Sequence, residues 1–222
     1  MKHVPHCNCN KKVNLAIIGM GSVGWQQLQS ATAVSQIRIA AVAETHLRPE
    51  LREKLDIPFY EDWRRLLEEQ SIAAVSICLP HHLHAEATIA AMRAGKHVLL
   101  ETPLAARIEE SRQIVEAART SDRVLMIEMT HRFYPPVQAA RELVRSGRLG
   151  RIYAVEDRII ARMPLARLPR WMVERKFAGG GVALTNGIHM LDRIAWVCGQ
   201  ALRFHGGTAT FGFGLGDVED TA

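Results

Sequence analysis

Along the first half of the chain apolar residues come in short continuous runs, each followed by a stretch whose apolar positions recur at helical spacing. Residues 13–18, 37–43, 58–60, 73–78, 97–100 and 124–127 are the apolar runs, and residues 23–33, 49–55, 62–70, 84–94 and 108–120 are the helical stretches between them. Trp63, Leu66 and Leu67 share one face of the third of these helices. Strands that are apolar without alternation are buried on both faces, and strands separated by helices pair in parallel. The pattern therefore predicts a doubly wound α/β domain over residues 13–128, preceded by a tail of residues 1–12.

The grammar changes after about residue 129. Residues 137–146 read as an amphipathic helix ending at Gly147, residues 151–160 as a strand, residues 182–197 as a helix interrupted at Asn186-Gly187, and residues 203–213 as a glycine-rich run of alternating character. A helix and long strands without the βα repeat predict an α+β domain over residues 129–222.

Composition narrows the class. Hydrophobic residues make up 48% of the 222 positions and charged residues 23%, which suits a packed globular chain and excludes a disordered or fibrous one. No apolar run approaches the roughly 20 residues that span a bilayer, and the first residues lack the apolar core of a signal peptide, so a cytoplasmic location is expected without a membrane partner. Four cysteines, at 7, 9, 78 and 198, are too few and too irregular for a disulfide scaffold. The net charge of +5 is local: eight basic residues face three acidic ones between Arg148 and Lys176, a surplus that accounts for all of it. A clustered arginine patch without a nucleic-acid-binding motif points to a small anion or to solvent, not to a duplex. His3, His6, Cys7 and Cys9 form a ligand-type cluster near the terminus, read as chance, and no metal site is expected.

One motif carries chemistry by itself. Gly19-Met-Gly21-Ser22-Val23-Gly24 closes the first strand and opens the first helix, and Glu44 ends the second strand. Gly19 permits the tight turn, Gly21 lets the backbone approach a pyrophosphate, Gly24 allows helix and strand to pack closely, and the helix N-terminus offers free N–H groups to phosphate. Glu44 accepts hydrogen bonds from ribose hydroxyls and repels a 2′-phosphate, which predicts NAD in preference to NADP; Arg48 tempers that preference.

Further segments resemble the Gfo/Idh/MocA oxidoreductase family. They are Leu79-Pro80-His81-His82-Leu-His84, Gly95-Lys-His-Val-Leu-Leu-Glu101-Thr102-Pro103, His131-Arg132-Phe-Tyr134-Pro, Ser146-Gly-Arg-Leu-Gly150, Gly179-Gly-Gly-Val-Ala-Leu-Thr185-Asn-Gly-Ile-His189-Met-Leu-Asp192 and Asp217-Val-Glu-Asp-Thr221. The resemblance runs from residue 13 to the end. It implies a Rossmann domain holding NAD or NADP, then a domain with an open, mostly antiparallel sheet, and a sugar, polyol or related alcohol as substrate. It also implies that this second domain is incomplete here and that the chain forms homo-oligomers.

The same resemblance assigns residues. Leu79, Pro80, His81, His84, Glu101 and Trp171 fall where the family meets its cofactor; apart from the resemblance, Arg132 and Arg170 are candidate substrate contacts, and Arg162, Arg167 and Arg170 either offer bidentate contacts to an anionic substrate group or form a solvated basic surface. The family moves the substrate's hydroxyl proton with the lysine of E-K-P and a D-x-x-x-H pair. Here Thr102 stands at the lysine, Thr185 at the aspartate, and only His189 is retained. A threonine hydroxyl does not ionise near neutral pH, so His189 must transfer the proton alone, Tyr134 must assist, or the reaction is not simple oxidation. Two alternatives stand beside a dehydrogenase: a protein that binds NAD without net turnover, as a sensor or partner subunit, and an enzyme that uses bound NAD transiently for elimination or hydrolysis.

Overall fold

A computed structural model describes residues 12–46, 49–53, 55–160, 168–199, 205–211 and 216–222. The N-terminal cluster of His3, His6, Cys7 and Cys9, together with Arg48, Arg162 and Arg167, lies outside the described residues. The chain divides into two compact units, one drawn from residues 1–79, 86–101 and 115–126, the other from residues 80–85, 102–114 and 127–222.

The first unit is built on a sheet in the order β3-β2-β1-β4-β5-β6. Its strands are β1 (Val13–Ile18), β2 (Ile37–Ala43), β3 (Phe59–Tyr60), β4 (Ala74–Ile77), β5 (His97–Leu100) and β6 (Leu125–Ile127). Pairing is parallel, with Ile17 opposite both Val42 and Ser76. Ile17, Ile18, Val42, Val75 and Ile77 are buried, as their uninterrupted apolar runs require of strands covered on both faces. Each such side chain contributes about 1.5–3 kcal/mol by leaving water. Strand order reverses between β1 and β4, the switch point at which open α/β sheets bind ligands.

The helices begin where local chemistry favours them. Helix α1 (Ser22–Thr32) starts after Gly21, and its buried face, Gly24, Leu28 and Ala31, lies on the sheet. Helix α2 (Pro49–Arg52) is shorter than its apolar spacing predicts. Helix α3 (Trp63–Leu67) is capped by Asp62, whose carboxylate accepts from the Arg64 N–H at 3.0 Å, and Trp63, Leu66 and Leu67 are all buried. Lys96, a long cation in the turn before β5, is buried as well, and its ammonium donates to the Glu69 carbonyl at 2.7 Å. Helices α4 (His84–Arg93) and α5 (Ile108–Thr120) complete the alternation.

In the second unit α6 (Pro135–Arg145) follows a 3₁₀ turn at Thr130–Phe133, and α7 (Arg175–Ala178) follows another at Arg170–Val173. A π-helical segment, Ala183–Gly187, runs directly into α8 (Ile188–Cys198), so the Asn186-Gly187 interruption is a change of helical hydrogen bonding and not a break. Residues 151–160, expected as a strand, carry no ladder: Tyr153 is 95% exposed and Ile160 85%. Alternating character makes a strand only where a neighbour supplies partners. Among the described residues of the second unit the antiparallel pairing is one bridge, Ala209 with Thr221.

Two glycines of the β1–α1 turn are demanded by space. Gly19 has φ +93°, and a Cβ there would lie 2.5 Å from the Cys78 carbonyl oxygen. A Cβ on Gly24 would lie 1.9 Å from the Gly19 oxygen, whereas one on Gly21 would meet nothing within 4 Å. Gly24→Ala should therefore cost about 3 kcal/mol or more, since overpacking against backbone has no flexible group to yield, while Gly21→Ala should cost less than about 1 kcal/mol. Urea denaturation of the two variants checks this ordering.

Candidate functional site

In the first unit four residues assigned by sequence stand at the carboxyl ends of neighbouring parallel strands: Gly19 after β1, Glu44 after β2, Leu79 beyond β4 and Glu101 after β5. Glu44 braces the glycine turn, because its carboxylate accepts from the Met20 N–H at 2.8 Å, the Thr45 hydroxyl at 3.1 Å and the His46 N–H at 3.3 Å. Gly21 gives α1 no side-chain cap, and no acidic residue occupies its first turn, so Gly21, Ser22 and Val23 present a bare, positively polarised helix start. The open space above Gly21 and the uncapped helix N-terminus suit a pyrophosphate, and a carboxylate fixed at the end of β2 suits a ribose diol.

In the second unit His189 is the centre of a cluster. The hydroxyl of Thr102 lies 3.5 Å from Nε2 of His189, and the imidazole of His131 stacks on that of His189 with centroids 4.5 Å apart. Tyr134, half exposed, stands 4.8 Å from the His131 ring. The Arg193 guanidinium donates to Nδ1 of His131 at 2.9 Å and holds the Asp157 carboxylate through two further donors. Arg132 pairs with Asp192 and stacks on Trp196. Burial pushes the His189 imidazole below its ordinary range, helped by His131 and Arg193 and opposed by Asp192. Burial does the same to His131, helped by Arg193. Nδ1 of His189 is buried and makes no hydrogen bond to any described residue. When Nε2 carries the lone pair, the neutral ring's proton sits on Nδ1, where it meets no acceptor among the described residues, a cost of about 1–3 kcal/mol.

The remaining assigned residues stand apart from that cluster. Thr185 turns its hydroxyl back to the Gly181 carbonyl at 3.0 Å and lines a largely apolar cavity of about 530 Å³ with Asp157, Met172, Val182 and Met190. Arg170 is exposed and pairs with Glu174, and Trp171 packs edge-on against His81 at 4.8 Å. His81 and His84 are buried, and each donates from Nδ1 to a carbonyl at 2.8 Å, His81 to Ala178 and His84 to Pro103. Pro80 precedes the 3₁₀ turn that carries His81, and the Thr102–Pro103 bond is cis.

Sequence reasoning passed over four residues that the fold brings to importance: His131, Arg193, Asp157 and Glu219. The first lies in a motif already singled out. Arg193 and Asp157 are 36 positions apart, a spacing with no local signature. Glu219 is buried, accepts from the Gly181 N–H at 2.8 Å and from Arg175 at 3.2 Å, and thereby ties down the start of the helix that carries His189.

Residues 13–129 match a family model described as an oxidoreductase family with an NAD-binding Rossmann fold, and residues 137–222 match the Gfo/Idh/MocA C-terminal domain. The chain belongs to the Gfo/Idh/MocA oxidoreductase family. It is 33% identical over 193 residues to D-glucoside 3-dehydrogenase of Escherichia coli K12, covering 84% of this chain and 54% of that relative. It is 32% identical over 145 residues to levoglucosan dehydrogenase of Pseudarthrobacter phenanthrenivorans, covering 63% and 36%. Among solved structures, levoglucosan dehydrogenase in complex with NADH and levoglucosan superimposes with a TM-score of 0.74 at 27% identity, over 86% of this chain and 55% of that one. A Bordetella pertussis dehydrogenase in complex with NADH and UDP-GlcNAcA shares the fold at a TM-score of 0.86 and 22% identity, over 95% and 65%. The chain spans about half the length of the curated relatives it matches. Among the described residues no helix is long and apolar enough to cross a membrane.

The buried histidines make stability depend on pH. Burial pushes His81 down to about 4, against the Ala178 carbonyl and with repulsion from His84 and His82. Its ordinary value of 6.5 applies to the unfolded chain, so between 6.5 and 4 the unfolded state binds a proton that the folded state refuses. Stability is full above that window and falls through it as acid is added, by on the order of 2–3 kcal/mol from this residue. His81→Asn, which keeps a donor for Ala178, should flatten the acid side of a plot of unfolding free energy against pH.

Proposed function

We propose that the chain carries the cofactor-binding and proton-transfer parts of an NAD-dependent oxidoreductase acting on a sugar, polyol or related alcohol, with Thr102 and His189 together replacing the family's lysine. The observation that carries this is the 3.5 Å approach of the Thr102 hydroxyl to Nε2 of a neutral His189. Gly19, Gly21, Ser22, Val23 and Gly24 would hold the pyrophosphate and Glu44 the ribose, with Leu79, Pro80, His81, His84, Glu101 and Trp171 along the rest of the cofactor. NAD, when bound, supplies the hydride acceptor.

The chain's own residues then have to take the proton of the alcohol. A threonine hydroxyl is donor and acceptor at once. Oγ1 of Thr102 accepts the substrate proton while passing its own to Nε2 of His189, which is neutral near pH 7 and free to receive it. Tyr134 extends the polar surface beside His131, and Arg132 and Arg170 offer charge to an anionic substituent. Thr185, its hydroxyl committed to Gly181, takes no part in the proton's path. The reading carries with it a sugar-like small-molecule substrate, no nucleic-acid partner, assembly with further copies of the chain and a cytoplasmic location.

That commitment of Thr185 favours a second reading. With His189 the only ionisable member of the three family positions, proton transfer is weakened, and NAD binding without net turnover becomes the competing function. Calorimetric titration with NAD, paired with a screen of sugars and polyols for NADH formation, separates the two. Under the first reading NAD binds, some alcohol yields NADH, Thr102→Val and His189→Ala each cut the rate about 10²-fold or more, and NAD affinity is unchanged in both. Binding with no NADH from any substrate selects the second reading. NAD should also bind more tightly than NADP, and Glu44→Ala should narrow that difference; equal affinity in the unaltered chain would remove Glu44 from the selection.

A further inference from the structure

The stacked pair of imidazoles has a direction built into it. Arg193 is always charged and has no acceptor, so the bond from its guanidinium to Nδ1 of His131 requires a lone pair on that nitrogen. The proton of His131 therefore sits on Nε2, and a second proton could enter only by breaking the bond to Arg193. The guanidinium is itself held by Asp157 and is only 20% exposed. His131 is thus fixed on one side by a braced cation and lies on the other against the face of His189, 4.5 Å away and inclined by 30°.

We propose that His131 is a positioning residue: held by Arg193 as the Nε2–H tautomer, it forms the flat wall against which His189 is seated, and this seating turns Nε2 of His189 toward Thr102. The inference deepens the proton-relay reading and rests on it for its catalytic meaning, but the seating itself is a property of the second unit. Among the described residues His189 has no hydrogen bond at Nδ1 to orient it. A histidine that receives a proton is usually oriented by a partner on its other nitrogen. Here that orientation comes from the stack and from the single contact to Thr102.

Among the described residues, charged and titratable groups meet His189 from several elements. His131 faces it from the Thr130–Phe133 turn with Tyr134 beside it, Asp192 and Arg193 stand on its own helix, Asp157 meets Arg193 from residues 151–160, and Arg132 meets Asp192. From α6, Arg141 lies over Trp196, two turns further along α8. Burial and the His131 ring both hold His189 below its ordinary range, so removing the wall should let it titrate higher.

The test is imidazole nitrogen NMR on the whole chain labelled at histidine, with no cofactor needed. In the unaltered chain His131 should show the Nε2–H tautomer through the neutral range, and His189 should titrate below 6.5. His131→Phe, which keeps a flat ring, should leave His189 titrating low, and His131→Ala should move its midpoint measurably upward. Arg193→Gln keeps the wall and releases the tautomer, so His131 should then titrate higher than in the unaltered chain; this variant serves where His131→Ala fails to fold. Unchanged His189 shifts and midpoint in His131→Ala, or an unchanged His131 in Arg193→Gln, overturn the proposal. If the nitrogen spectra behave as expected but Thr102→Val and His189→Ala leave NADH formation untouched, the relay reading fails while the seating stands.

Discussion

The carbonyl oxygen of Gly19 occupies the space that any side chain at position 24 would need. A Cβ on Gly24 would lie 1.9 Å from it, a distance no flexible group can relieve. Because the two glycines touch through backbone alone, α1 starts directly above the end of β1, and its bare N-terminus falls where strand order reverses. Gly21, between them, meets nothing within 4 Å. The same few residues are therefore crowded on one side and open on the other, and Glu44, holding the Met20 N–H, keeps the turn in that shape.

The second unit is held by a comparable economy in a different material. Gly181 has no room for a side chain, because a Cβ would lie 1.8 Å from the Glu219 carbonyl oxygen. Glu219 returns its buried carboxylate to the Gly181 N–H, and its carbonyl accepts from Val182. A buried carboxylate is costly unless its oxygens are satisfied; here one takes a backbone N–H and the other an arginine. The residues just before the π-helical segment are fixed in this way, and with them the direction in which α8 sets out toward His189.

Around His189 burial and charge push the same way. Loss of water, His131 and Arg193 all disfavour a second proton on the ring, and the Asp192 carboxylate opposes them. A neutral imidazole beside a threonine hydroxyl is a different instrument from an ammonium beside a carboxylate. It carries no fixed charge to hold a substrate oxygen, and it has a lone pair ready for a proton.

The α/β alternation, the glycine turn and the acidic end of β2 were legible in the chain alone, because each depends on neighbours in sequence: apolar periodicity, a tight turn and a fixed distance from turn to strand end. The substitutions at 102 and 185 were legible for the same reason, as positions within motifs. Tertiary structure decided the rest. Residues 151–160 have a strand's pattern and no strand partner among the described residues, since pairing is a property of two segments. That His81 and His84 are buried and tied to the Ala178 and Pro103 carbonyls is set by residues distant in sequence. The ring stack of His131 on His189, the Arg193 brace and the Glu219 clamp join residues 58, 62 and 38 positions apart. Burial, tautomer and proton affinity arise only when such distant groups share a small volume from which water has been removed, and no spacing along a chain encodes that volume.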